Sequence, residues 1–259
     1  KGSYAWDDPA EESQAVGRVR DVKVRTLRED DTTQPNELHP LWHSLDTFTV
    51  TRDMPEEKVI SLAKNTNKLR VVLQNVMGED MDVNNFSFRI VADNGYMDYD
   101  NSLLQDPTIH YLPYYTENVE LGADPTPGAT VGGQYVAVAE MNTMRLMAGR
   151  NYRLIIRHHG WEKDVLNVNL NDYLLLTKME GHRISPQEYL DRQDEYSIIF
   201  FLTPKVCPDC PDKPTPPDPP GPDNPDNPDN PDGPDPEDPT IVGYACFLIW
   251  DTFSNCSSR

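Results

Sequence analysis

Apolar and polar residues alternate with a period of two in one short stretch after another along this chain. Val22 and Val24 alternate with Lys23 and Arg25, the mark of a half-buried strand. Leu41-Trp42 is followed by a second alternating run, Thr47-Phe48-Thr49-Val50. Val59–Leu62 and Leu69–Leu73 read as two further strands, separated by the turn-like composition Lys64-Asn65-Thr66-Asn67. The clearest alternation sets Phe86, Phe88, Ile90 and Ala92 against Ser87, Arg89 and Val91, and it stops at the turn signal Asp93-Asn94-Gly95. Tyr135–Met141 and Tyr152–Ile156 are rich in β-branched and aromatic residues. Tyr196–Leu202 is apolar on both faces, as a central strand is.

Lys1–Gln14 is polar, acidic and aperiodic, Glu29–Leu38 reads as a turn-rich loop, and Asp172–Met179 reads as one or two helical turns. No long stretch keeps a helical period. Many short strands between turn signals predict a mainly β fold built as a sandwich.

Composition changes this picture at one place. Of the 24 prolines, 15 lie between Pro204 and Pro239, with ten Asp/Glu and two Lys, so that tract holds −8 of the net charge of −20. Pro-Asp-Asn repeats at 222–224, 225–227 and 228–230 and decays to Pro-Asp-Gly at 231–233. Proline lacks the N–H donor and biases its predecessor away from helix, so the tract is neither strand nor helix. As a polyproline II spacer its 36 residues would reach at most about 110 Å.

The remaining acidic surplus repels phosphate backbones, and no Lys/Arg cluster offsets it, which argues against nucleic acid as a partner. The longest apolar run, Ile241–Trp250, is about half of what spans a bilayer. Lys1-Gly-Ser-Tyr4 reads as an internal junction, and no Lys/Arg-flanked apolar segment opens the chain.

Candidate chemistry is sparse. Asp80-Met-Asp82-Val-Asn84 begins like a calcium loop, but Asn85 replaces the required glycine and Val91 the closing glutamate. Asp98-Tyr-Asp100-Asn101 is a second acidic turn with nothing to fix a cation's geometry. Gly128–Gly133 has Walker-like glycine spacing, with Gln134 and Tyr135 where Lys and Ser/Thr belong. His39 and His43 are separated by Pro40, and the adjacent His158 and His159 would point to opposite faces of a strand. The carboxylates of Asp191–Tyr196 stand at the entry to a strand without a partner across a cleft. These residues predict no enzyme, no cofactor and no metal.

Four cysteines, Cys207, Cys210, Cys246 and Cys256, bracket the proline tract, and the first 203 residues have none. Cys207-Pro-Asp-Cys210 has redox or half-zinc spacing, but the nine-residue spacing of the second pair is wrong for a zinc ribbon. A disulfide closing the tract, from 207 or 210 to 246 or 256, is the other reading in an oxidising compartment.

Several segments together resemble the fimbrillin-associated anchor (FimB-like) family of Gram-negative bacteria. They are Leu38-His-Pro-Leu-Trp-His43, Val59–Asn67 running into Leu69–Leu73, Asp93-Asn-Gly95 through Asp98–Asn101, Arg145-Leu-Met147 and Tyr189–Tyr196, in the family's order over about residues 38–202. The resemblance implies a surface lipoprotein of transthyretin-like β-sandwich domains that anchors or assembles a fimbrium (pilus) at the outer membrane, with other fimbrial subunits as partners. It implies a division into residues 1–57, the remainder of an N-terminal sandwich, and 58–203, a C-terminal sandwich; composition adds 204–239, a disordered Pro/Asp linker, and 240–259, an apolar β-prone tail. The family's lipid-bearing cysteine and first strands have no counterpart here, and the proline tract stands where its terminal Trp-containing strand would be.

The tail, through Ile241, Val242, Tyr244, Phe247, Leu248, Ile249 and Trp250, has the composition of a strand that must be covered. Three readings stand: the tail completes its own sandwich, it adds to a neighbouring subunit, or it is disordered. The competing reading is a surface adhesin or glycan-binding module, with Trp42, Trp161, Tyr111, Tyr114 or Tyr115 stacking on sugar rings.

Overall fold

The computed structural model describes residues 2–7, 19–47, 49, 57–122, 133–176, 178 and 183–204, and the backbone pairing of 239–240 and 246–247. Its strands are β1 (Tyr4–Asp7), β2 (Lys23–Thr26), β3 (Thr33–Gln34), β4 (Trp42–His43), β5 (Ala63–Lys64), β6 (Thr66–Asn75), β7 (Phe86–Ala92), β8 (Tyr96–Met97) and β9 (Ile109–Tyr111). There follow β10 (Tyr115–Leu121), β11 (Gln134–Met144), β12 (Arg153–His158) and β13 (Lys163–Asn169), then two short helices, α1 (Leu170–Leu175) and α2 (Pro186–Arg192). The last long strand is β14 (Glu195–Pro204), with the two-residue strands β15 (Pro239–Thr240) and β16 (Cys246–Phe247) beyond it.

Two sheets make the sandwich. One has the order β10-β11-β6-β14, with β15 and β16 both pairing to β14; the other has the order β13-β12-β7-β9-β3. β14 runs parallel to β6, from Glu195 opposite Lys68 to Leu202 opposite Asn75, whereas β11 is antiparallel to β6. A three-stranded sheet (β1-β2-β8) and a two-stranded ribbon (β4-β5) flank the sandwich. Strands from the first 47 residues therefore pair with later ones: β2 with β8, β3 with β9, and β4 with β5.

The core is one continuous cluster. Leu69, Val71 and Leu73 of β6, Tyr196, Ile198, Phe200 and Leu202 of β14 and Met141 of β11 meet Phe88 and Ile90 of β7, Leu154 and Ile156 of β12 and Tyr111 of β9. At roughly 25 cal/mol per Å² of apolar surface removed from water, this burial is the main stabilising term. The alternation expected for Phe86–Ala92 appears residue for residue, with Phe86, Phe88, Ile90 and Ala92 buried.

Several expectations need correction. Val59–Leu62 is not a strand: Val59 is 80% and Leu62 57% exposed, and pairing starts only at Ala63. The turn expected at Lys64–Asn67 is instead the entry to β6. Asn65 Nδ2 donates to Asn101 Oδ1 at 2.5 Å, and Asn67 Nδ2 donates to the Met144 carbonyl at 3.2 Å. Amides that would stabilise a local turn are satisfied here by residues distant in sequence.

Of Thr47–Val50, Thr47 and Thr49 lie outside any strand, and Phe48 and Val50 fall outside the described residues. Although Lys1–Gln14 carries no period, Tyr4–Asp7 pairs with Lys23–Thr26. Within Glu29–Leu38, Thr33–Gln34 forms β3, and the helix expected near Asp172 starts at Leu170.

Candidate functional site

β14 is the strand on which an interaction site is most naturally built. Its core face carries Tyr196, Ile198, Phe200 and Leu202, and the alternate residues Ile199 and Phe201 are only half-buried on the opposite face. Ile199 is in register with Val72, which is in register with Val138. Val136 and Val138 are each 1% exposed although neither belongs to the core cluster, so the middle of the face opposite the core is apolar, between the Arg70–Glu140 and Gln74–Gln134 pairs. Period-two geometry puts this second face away from the five-stranded sheet.

Among the described residues, the edge of β14 away from β6 pairs antiparallel with two short segments, Ile198–Ile199 with Cys246–Phe247 and Thr203–Pro204 with Pro239–Thr240. The rest of the tail strand residues, Ile241, Val242, Tyr244, Leu248, Ile249 and Trp250, lie outside the described residues, as do Cys207, Cys210 and Cys256 and nearly all of the proline tract.

A cleft of about 460 Å³ opens at the start of this strand, lined by Lys68, Arg70, Tyr114, Glu140, Glu195 and Ser197. Arg70 donates to Glu140 at 2.6 Å and to Glu117 at 3.2 Å, and the Tyr114 hydroxyl donates to Glu140 at 3.2 Å. Burial and the adjacent Glu140 carboxylate push the Tyr114 phenol well above its ordinary pKa, so it stays protonated and a donor.

A second, larger groove of about 680 Å³ lies between the β4-β5 ribbon and α2. Trp42 is paired with Lys64 across the ribbon and remains 53% exposed. Lys64 Nζ lies 5.8 Å from the Trp42 ring centre and 2.6 Å from Asp194. Across the groove, Arg145 grips Asp191 through two hydrogen bonds of 2.7 and 2.6 Å, and Gln187 donates to Asp191 at 3.0 Å. Arg192 pairs with Glu188 at 2.5 Å along α2.

The residues singled out by sequence are dispersed. Asp82 accepts from the Asn84 amide and caps the short 3-10 turn Val83–Asn85; these hydrogen bonds hold its carboxyl below the usual range. Asp98–Asn101 forms a turn in which Asn101 takes a positive φ of 70°. His39 bonds Ser3, His43 reaches the Tyr99 carbonyl, and His158 stacks on Trp161 at 3.6 Å. Burial holds the His158 imidazole below its ordinary pKa. Of the Walker-like segment, only Gly133 and Gln134 are described, and both lead into β11. Among the described residues no group of three or more His, Cys, Asp or Glu is placed to hold a metal ion, and no helix is long and apolar enough to cross a membrane.

Two site readings are overturned. Tyr111 is no sugar platform: it is 1% exposed and donates its hydroxyl to Asn94 in the core. Asp191 is not part of a strand entry but stands in the last turn of α2, where it faces the Trp42 groove with Glu188 and Asp194. Sequence reasoning missed Lys64 and Gln187 altogether, because each joins the groove only through pairing between remote segments.

Strand edges, an apolar second face and grooves with exposed aromatics are the equipment of an assembly or binding protein. The chain belongs to the fimbrillin-A associated anchor proteins Mfa1 and Mfa2, whose family model matches residues 2–215. That family comprises fimbrial anchor proteins rather than enzymes.

Among solved structures, the chain is 32% identical to a protein from Bacteroides thetaiotaomicron provisionally described as an adhesin, with a TM-score of 0.66 over 78% of this chain and 66% of that one. A second structure from the same organism, provisionally described as a polysaccharide-binding protein, is 33% identical over the same shares, with a TM-score of 0.64. A structure from Bacteroides ovatus, at 24% identity and a TM-score of 0.62 over 80% of this chain and 66% of that one, shares the fold. The chain thus spans 66% of the length of these relatives. No curated protein matches it.

Proposed function

We propose that this chain is a non-enzymatic fimbrial subunit that joins other fimbrial subunits by β-strand addition at the edge of β14 away from β6, and so anchors or assembles a fimbrium at the outer membrane surface. Membership of the anchor family supports the fimbrial part of this reading. The observation that carries the strand part is β14 itself: it is apolar on both faces and paired by hydrogen bonds to β6 along one side, and its other edge meets only Cys246–Phe247 and Pro239–Thr240 among the described residues. An edge with unpaired N–H and C=O groups is a template for another strand.

The segment Ile241–Trp250, centred on Phe247, is the strand offered, and the 204–239 tract is its tether. Cys207 and Cys210 with Cys246 and Cys256 would fix that tether as disulfides in an oxidising compartment. Attachment to the membrane would come through a lipid on residues outside this sequence. The relative provisionally described as an adhesin supports the broader placement at the cell surface.

Deleting residues 241–259 tests the assembly role. The truncated protein is expected to lose co-purification with fimbrial subunits while keeping its fold. Undiminished incorporation into a fimbrium would sink the strand-donation reading.

A further inference from the structure

We propose that the groove between the β4-β5 ribbon and α2 binds a neutral pyranose unit of a glycan, with Trp42 as the stacking platform. This is independent of strand addition at β14, since its lining residues, from Trp42, Ser61–Lys64 and Ser185–Asp194, do not include β14.

Three observations carry it. The volume of about 680 Å³ lies within the range of small-ligand sites. Trp42 leaves more than half its surface in water, although Trp is highly buried on average in folded proteins. Leu62, 57% exposed, extends the apolar strip beside it in the same groove. A pyranose presents a face of C–H groups that covers such a ring and a rim of hydroxyls that needs polar partners.

The polar partners argue for a ligand without net charge. Asp194 is paired with Lys64, Glu188 with Arg192 and Asp191 with Arg145, so among the described residues no carboxylate lining the groove lacks a cation. An anionic or cationic ligand would have to displace an existing pair. A hydroxyl both donates and accepts, and can bridge a carboxylate and its cation without breaking them. The far wall is also rigid before any ligand arrives. Gln187 donates to the Leu146 carbonyl and accepts from the Ala148 amide, and Asp191 is held by the Arg145 fork. Prealigned groups reduce the ordering cost of binding.

The test uses the full chain in calorimetric titrations with maltohexaose, cellohexaose and mannohexaose, and with hexagalacturonate as the anionic counterpart. At least one neutral hexasaccharide is expected to bind with a Kd in the millimolar range or below. Trp42→Ala should weaken it about tenfold or more, Trp42→Tyr should retain most of the affinity, and Trp161→Ala, on another face, should change nothing. Melting temperatures recorded alongside separate a lost platform from a lost fold. The proposal is overturned if no neutral hexasaccharide binds, if hexagalacturonate binds in preference, or if Trp161→Ala costs as much as Trp42→Ala.

Discussion

At the scale of single residues, the turn after β7 shows how a local signal serves a long-range contact. Asp93-Asn94-Gly95 breaks the strand as its composition suggests, but the glycine is needed for space. A Cβ there would lie 2.5 Å from the Arg28 guanidinium and 2.8 Å from the Asp106 carboxylate, an ion pair whose side chains are 8% and 0% exposed. Gly95→Ala is expected to destabilise the protein by about 1–3 kcal/mol through overpacking of that pair. Urea denaturation would show it as a lower midpoint with unchanged slope; an unchanged midpoint would mean that the pair shifts freely. Asn94 is equally committed. It accepts from the Tyr111 hydroxyl at 2.8 Å and donates to the carbonyls of Met144 and Arg145 at 3.0 Å each, which ties the turn to the end of β11.

At the scale of elements, the misread strands share a cause. β10 and β13 are the edge strands of the two large sheets, and in β10 only Glu117 and Val119 are even half-buried. An edge strand open to water on both faces, as Tyr115–Leu121 is, needs no apolar alternation and carried no period to detect; in Lys163–Asn169 only Leu166 is buried, with Val165 and Val168 partly so, which is too short a signal to read as a strand. Helix α2 was hidden for a related reason: its seven residues bury only Tyr189 and Leu190. Its start was nevertheless written in Ser185-Pro186-Gln187-Glu188, an N-cap serine, a proline in the first turn and a glutamate three residues on.

What holds α2 to the sheet is the fork from Arg145 to Asp191, with a third Arg145 bond to the Asn101 carbonyl at 2.7 Å. Lysine cannot reproduce that geometry. Arg145→Lys should therefore cost about 2 kcal/mol, since the pair is largely shielded from water. Hydrogen exchange should show α2 opening more often; equal protection in both proteins would refute the role.

At the scale of the whole molecule, a single cluster joins both large sheets, and strands from residues 23–43 pair with strands after residue 60. The described sandwich should therefore unfold as one cooperative unit. Ile90, fully buried in β7, tests this. Ile90→Ala is expected to cost about 2–5 kcal/mol and to lower the transitions seen by tryptophan fluorescence and by far-ultraviolet circular dichroism together. Two separated transitions would show independent units. The charge of −20 belongs to this scale too, and with 8 of those charges in the proline tract the sandwich is only moderately acidic.

By itself the sequence determined the class of fold, the strands at the centre of each sheet and the family, because central strands must be apolar with a period of two wherever they lie. Phe86–Ala92 has that period and Tyr196–Leu202 is apolar on both faces, and no tertiary information was needed to find either. Only the tertiary structure decided which residues meet. It made a sheet entry of Asn65 and Asn67, a core residue of Tyr111, and one groove of Trp42, Lys64, Gln187 and Asp194. Periodicity reports whether a side chain faces the interior, whereas neighbours in space are set by register and sheet order, which local sequence does not encode.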